Sequence, residues 1–462
     1  MIEKDATILK QYTGPLSRSI QDEYAISPEH YRGDVKLGLR NSDGTGVLVG
    51  VSKVGSVQGY LLQDGQRVPI PGQLYYRGIE LTDIVEAHRK AGTFGFEEVA
   101  YLLLMGYLPS KSELAYFDKI MNQARKLPEG FTEGMIMRHP SRSIMNELAR
   151  SVLSLYSYDP DPDNTSIDNT LLQSVKLIGY FPSIVANAYA MQRHYFHGDS
   201  LHIHYPVPEL STAENFLRMM RPDKSYTDEE AHLLDMMLMV HAEHGGGNNS
   251  TFVCRAMSSS GTDTYSAIAG AVGSLKGPLH GGANAKVMEM FHYIKENVDP
   301  HDDGSIKDYL CKLLDGAAGD RSGKLYGLGH AVYTISDPRA VLLKKYAQHM
   351  AEIKGYAGDF ALLQKVETLG IPLIQERRGS DTPMCANVDM YSGLVYTMLG
   401  IPEEVFTPLF ASARIAGWCA NRIEEVVTCH RIMRPAYRAV TTHEKYIPME
   451  ERATHLRLAD VE

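Results

Sequence analysis

The sequence contains no Cys-x-x-Cys pair. Its five cysteines, Cys254, Cys311, Cys385, Cys419 and Cys429, are scattered and odd in number. That argues against a disulfide framework and points to reduced, mostly buried thiols in a reducing compartment. Long apolar runs are missing too. The longest, "LLDMMLMV", is broken by an aspartate and falls far short of a membrane span. Basic residues are outnumbered, 46 Lys and Arg against 56 Asp and Glu. A net charge of -10 excludes a general nucleic-acid binder, though not an anionic substrate met by a local group of arginines. The opening "MIEKDATILK" has no basic start and no apolar core, so no secretory or transit segment is read there and a cytoplasmic protein is expected.

What is present is ordinary for a soluble globular protein: 44% hydrophobic and 22% charged residues. A chain of 462 residues is too long for one compact core, which predicts two or three folded units. Residues 1–75 are irregular, with a Gly/Val-rich stretch, "GVLVGVSKVGSVQGYLLQDGQRVPIPG", that predicts a few short strands. From Tyr76 the pattern becomes helical. "FGFEEVAYLLLMGYLP" has helical apolar spacing and ends on Gly and Pro, and "DEEAHLLDMMLMVHAEH" predicts a helix stopped by Gly245–Gly247. "NAKVMEMFHYIKE" predicts a helix just after His280. "DPRAVLLKKYAQHMAEIKG" opens on a capping Asp337 with proline in the first turn.

Several familiar motifs fail. His241 and His244 in "HAEH" are three apart, whereas a zinc-protease helix needs a spacing of four with a glutamate between. No metal is therefore expected. "HGGG" at His244–Gly247 would suit an esterase oxyanion loop, but the chain has no GxSxG elbow. "GDRSGK" misses the phosphate-loop spacing, and "GTGVLVG" misses the dinucleotide fingerprint.

Three histidines in glycine-rich breaks remain: His244 before "GGGNN", His280 in "GPLHGGAN" and His330 in "GLGHAVY". They are either three separate structural residues or parts of one site, since rigid scaffolds carry site residues on loops. Asp389 in "NVDMYSG" is read as a helix N-cap or a site carboxylate. Arg339, Arg414 and Arg434 stand near these breaks, and Arg414, on an apolar helix, needs a partner.

With these residues assembled, the chain resembles the citrate synthase family. "HAEHGGGN", "GPLHGGAN", "GLGHAVYTISDPRA" and "NVDMYSG" match the family's site motifs in order, "YRGIELTDI" and "FEEVAYLLLMGYLP" its N-terminal signature, and "ARIAGW" and "RIMRP" its closing one. The resemblance covers roughly Tyr76 to Arg438. It implies a mainly α-helical, two-domain fold after a short β-rich segment. The large domain would comprise residues 76–283 and 401–462, with a small helical domain at 284–400. It implies a homodimer that closes over oxaloacetate before acetyl-CoA reacts, at the entry step of the tricarboxylic acid cycle. Both compounds are substrates, and no cofactor is implied. The closest alternative is a 2-methylcitrate synthase acting on propionyl-CoA.

By the same resemblance His280 hydrogen-bonds the thioester oxygen, Asp389 is the base and His330 polarises the ketone of oxaloacetate. His244, Asn248, Arg339 and Arg414 contact oxaloacetate, and Arg434 reaches a carboxylate from the partner subunit. The chemistry suits these types. Aspartate, with a reference pKa of about 3.9, is a weak base, so it needs a donor that stabilises the enolate as it forms. A neutral His280 fits that role. A helix starting after it is expected to keep it neutral, and the glycines around it to let the backbone turn sharply and the thioester approach. Two departures stand out: Gly245 where many members have Glu, and "MRHPSRSIMNEL", which matches the family poorly. Arg377 and Arg378 are read either as coenzyme A phosphate partners or as surface charges.

Overall fold

In the computed structural model, described residues are 24–452 except 43, 64–65, 380–381, 429–430 and 442, with Thr13, Ser17 and Ile20 besides. The chain forms two compact units, one of residues 1–50 with 434–462 and one of residues 51–433. The first has short 3-10 turns at Pro28–Tyr31, Leu37–Leu39 and Met449–Glu451, and an Arg438–Asp34 ion pair.

The second unit opens with an antiparallel sheet, β1 (Gly55–Gln63), β2 (Gln66–Tyr76) and β3 (Ile79–Glu80), in that order. The strands predicted from the Gly/Val-rich stretch are β1 and β2. Helices follow: α1 (Leu81–Ala91), α2 (Phe96–Met105), α3 (Lys111–Ala124), α4 (Ile144–Leu155), α5 (Ile167–His197), α6 (Thr212–Met220), α7 (Asp228–His241), α8 (Asn249–Ser258), α9 (Thr264–Leu275), α10 (Ala283–Asn297), α11 (Asp303–Leu314), α12 (Pro338–Lys354), α13 (Ala357–Arg378), α14 (Asp389–Met398) and α15 (Phe406–Thr428). The fold is mainly α, as expected.

Local chemistry sets many boundaries. Reciprocal capping boxes, Ser110/Glu113, Ser211/Glu214 and Thr227/Glu230, start α3, α6 and α7 by satisfying amides that the helix leaves open. Asp337 caps α12 and Pro338 follows it, as the sequence predicts. α7 is shorter than its apolar pattern suggests. It stops at His241, so His244 lies in the turn beyond and the two histidines do not share a helical face.

α15 is the central element. Every residue from Pro408 to Arg422 is buried, and the helix packs on α2, α5, α7, α8 and α9. α10 to α14 pack chiefly on one another. Cys254, Cys385 and Cys419 are buried free thiols and Cys311 is partly buried, whereas Cys429 lies outside the described residues. Among the described residues no helix is long and apolar enough to cross a membrane.

The hairpin backs the loop that precedes α12. The Gly72 amide donates to the Ser336 carbonyl at 3.1 Å. A Cβ on Gly72 would stand 2.1 Å from that oxygen and 2.5 Å from the Tyr333 ring. Only a residue without a side chain permits this approach. Gly72→Ala is therefore expected to lower stability by about 1–3 kcal/mol in a denaturant melt and to shift the Tyr333 ring. An unchanged melt would show that the hairpin does not set the loop.

Candidate functional site

Three loops and three helices bring the sequence-predicted residues together. His244 follows α7, Asn248 precedes α8, His280 lies in the turn before α10 and His330 in the loop before α12. Arg339 is in the first turn of α12, Asp389 is the first residue of α14, and Arg414 is midway along α15. The His244 and His330 rings meet edge to face with centroids 5.2 Å apart, and His330 stacks on Tyr333 at 4.6 Å. Arg339 and Arg414 both act electrostatically on His244 and Asp389, and Arg414 acts on His280. Arg434 is exposed and belongs to the first compact unit.

The arginines differ. Arg339 is held by Asp337 in a two-point pair, Nε to Oδ1 at 3.0 Å and Nη2 to Oδ2 at 2.7 Å. Burial disfavours its charge, but Asp337 more than offsets this and raises its pKa. Arg414 is fully buried. Its Nε donates to the His241 carbonyl at 2.6 Å, and its guanidinium lies 4.7 Å from the Phe410 ring centre. Its Nη1 and Nη2 have no hydrogen-bond partner. Burial lowers its pKa to about 10, against the pull of Glu243, so it stays charged at neutral pH. His244 Nε2, both ring nitrogens of His241 and the Tyr333 hydroxyl are likewise buried and unpartnered. Buried polar atoms rarely go unpaired. A group of them around an open guanidinium marks a surface shaped for a small polar anion.

The histidines are set as neutral donors. Val332 and Tyr333 amides both donate to His330 Nδ1 at 3.1 Å, which puts the proton on Nε2. The Ser250 amide donates to His280 Nε2 at 3.3 Å, with Ser250 Oγ 2.9 Å away. A backbone amide cannot turn aside, so the His280 proton sits on Nδ1; both tautomers are assigned from the hydrogen-bond network. Ser250 Oγ is itself held by Trp418 Nε1 at 3.1 Å and by Asn248 Oδ1 at 3.0 Å. Burial first, then Arg414, lowers the His280 pKa to about 4. The expected helix begins at Ala283. Of the glycines around His280, Gly281 serves the sharp turn. A Cβ on Gly281 would stand 2.4 Å from the Leu275 carbonyl, so a tight turn requires that glycine.

Asp389 is not the helix cap. Val388 holds that position, Asn387 Oδ1 accepts the Asp389 amide at 3.0 Å, and no side-chain capping bond forms. Burial raises the Asp389 pKa to about 6, although Arg339 and Arg414 pull it down. Glu243, fully buried, accepts from Asn421 Nδ2 at 2.9 Å and is the largest opposing charge felt by Arg414. Sequence reasoning missed Glu243, Ser250, Trp418 and Tyr333 as site residues, and the Asp337–Arg339 pair. Only that pair, two residues apart in "DPR", left a local signal. Arg377 is exposed and bound to Asp315 and the Cys311 carbonyl, which favours the surface-charge reading. Among the described residues no His, Cys, Asp or Glu group has a metal-binding arrangement.

These networks predict opposite tautomers at neutral pH, with the proton on Nδ1 of His280 and on Nε2 of His330. Nitrogen NMR of the imidazoles is expected to show these tautomers, with His280 neutral at pH 7 and still neutral at pH 5. A charged His280 at pH 6 would contradict the network.

Comparison with known proteins agrees with the geometry. A family model described as citrate synthase, C-terminal domain, matches residues 43–436. The citrate synthase of Deinococcus radiodurans is 36% identical over 360 residues, 77% of this chain and 88% of that one. The 2-methylcitrate synthase of Shewanella oneidensis is 30% identical over 380 residues, 82% and 92% of the two chains. The structure of citrate synthase from Thermoplasma acidophilum in a ternary complex with carboxymethyl coenzyme A and oxaloacetate superposes with a TM-score of 0.74 at 26% identity, covering 91% of this chain and all of that one. The chain belongs to the citrate synthase family.

Proposed function

We propose that this chain condenses acetyl-CoA with oxaloacetate to citryl-CoA and hydrolyses that thioester to citrate and CoA. The observation that carries the reading is the Arg414 fork, buried, charged and open at both terminal nitrogens. A planar guanidinium holds a carboxylate through two parallel bonds. Oxaloacetate is a small dianion with a ketone. In this reading Arg414 takes one carboxylate, and Arg339, His244 and Asn248 complete the pocket. His330 donates from Nε2 to the ketone oxygen and stabilises the alkoxide that forms on attack.

The second substrate meets Asp389 and His280. Asp389, with a pKa of about 6, is a stronger base than a solvated aspartate and is still mostly ionised at pH 7. It removes a proton from the methyl group of the thioester. The electron pair moves to the thioester oxygen, where the His280 Nδ1 hydrogen stabilises it. The carbanion carbon then attacks the ketone carbon. A donor that is already neutral need not gain a proton first, so the charge it meets is only that of the transition state.

The finer statements of the reading are these. The protein works as a homodimer in the cytoplasm, and Arg434 is supplied to the dianion by the partner subunit. Helices of residues 284–400 close over oxaloacetate and exclude water until the carbon–carbon bond forms. No cofactor takes part. The similarity to Shewanella oneidensis 2-methylcitrate synthase keeps propionyl-CoA as the second reading, since one methylene is worth only about 1–3 kcal/mol of discrimination.

Initial rates of thiol release test the reading. Release is expected to require oxaloacetate and to prefer acetyl-CoA. Its kcat/KM is expected to fall about tenfold per pH unit below pH 6 as Asp389 takes up a proton. His280→Ala is expected to lower kcat at least a hundredfold. A preference for propionyl-CoA would transfer the same roles to 2-methylcitrate synthesis. Release independent of oxaloacetate would overturn the assignment of the arginines.

A further inference from the structure

Three helices that carry site residues meet again at their other ends. α7 runs to His241 and on to His244, α12 begins beside Arg339, and α14 begins at Asp389. At the far ends stand Glu230 in the first turn of α7, Lys354 as the last residue of α12, and Leu399 just after α14. The helices have 14, 17 and 10 residues, so this second meeting point lies roughly 15–25 Å from the first.

One carboxylate joins the three. Glu230 is 3% exposed. Its Oε1 accepts from Lys354 Nζ at 2.5 Å and from Arg221 Nη2 at 3.2 Å. Its Oε2 accepts from Arg221 Nη1 at 2.8 Å and from the Thr227 amide at 2.9 Å. Arg221 Nη2 also donates to the Leu399 carbonyl at 2.6 Å, and Nη1 to the Ser225 carbonyl at 2.9 Å. Burial opposes the charge on Glu230, but Arg221, Lys354 and the Thr227 amide together hold its pKa down at about 2. The carboxylate is therefore charged throughout the working range.

Helix stability alone does not call for this arrangement. The capping box needs only Thr227 and Glu230. Drawing two further cations onto a buried carboxylate loses hydration, and such pairs are poor sources of stability. What they do supply is a fixed register between the elements that carry them. We propose that the Glu230 hub is a positioning device: Glu230, Arg221 and Lys354 fix the axial placement of α7, α12 and α14, so that His244, Arg339 and Asp389 meet the same oxaloacetate. This rests on the site reading above.

Lys354 is the member to alter, because its side chain is 32% exposed and its loss leaves the Arg221–Glu230 pair and the capping box intact. In Lys354→Met the KM for oxaloacetate is expected to rise at least about fivefold, with a smaller change in KM for acetyl-CoA. The Kd for oxaloacetate, read from fluorescence of the single tryptophan, Trp418, is expected to rise in parallel. Lys354→Arg is expected to restore most of the affinity. Unchanged oxaloacetate affinity in folded Lys354→Met, with or without a lower Tm, would overturn the proposal and leave the site reading standing. Wild-type protein with no oxaloacetate-dependent turnover and no oxaloacetate binding would overturn both.

Discussion

Arg414 stands on a helix whose stretch from Pro408 to Arg422 is buried throughout. A charge there has lost its water and is costly unless something answers it. The protein answers only in part. The His241 carbonyl takes Nε, the face of Phe410 lies beneath the guanidinium, and Glu243 is the opposing charge it feels most. The two terminal nitrogens stay open. The same cation shapes its neighbours. It helps burial keep His241, His244 and His280 neutral, and it limits how far burial raises the pKa of Asp389. One held-back interaction thus sets the protonation states that an enolate-forming site requires.

α15 contributes more than the charge. Trp418 lies one turn beyond Arg414 and fixes the Ser250 hydroxyl, which in turn stands against His280. Arg414 and the support of His280 therefore stand on one buried helix. Across the cluster, Arg339 is locked by Asp337 and the His330 loop is backed by the β-hairpin through Gly72. These supports hold donors at fixed positions before any substrate arrives, which is where enzymes gain most from polar groups. The Glu230 hub extends the same logic to the other ends of the site helices.

Much of this was legible in the sequence because it is local. Asp337 followed by Pro338, the glycines that end helices and the periodic apolar stripes act within a turn or two of chain, and they locate most of the helices. The order of motifs around His244, His280, His330 and Asp389 singled out residues that the structure gathers. What was not legible depends on distant pairs. Ser250 meets His280 and Trp418, 30 and 168 residues away. Lys354 meets Glu230 across 124 residues, and Arg221 meets Leu399 across 178. Arg221 itself lies outside every motif named from the sequence. The end of α7 was misplaced for a related reason: its apolar pattern runs on, but the chain turns away so that Glu243 and His244 can face Arg414.

The most direct measurement is calorimetric titration of oxaloacetate into the wild-type protein and Arg414→Gln, which keeps a donor and removes the fork. The account predicts binding weakened roughly a hundredfold or more in a variant that still folds, with a Tm close to that of the wild type. Equal affinity in the two proteins would contradict it, since the open guanidinium would then be only a structural charge.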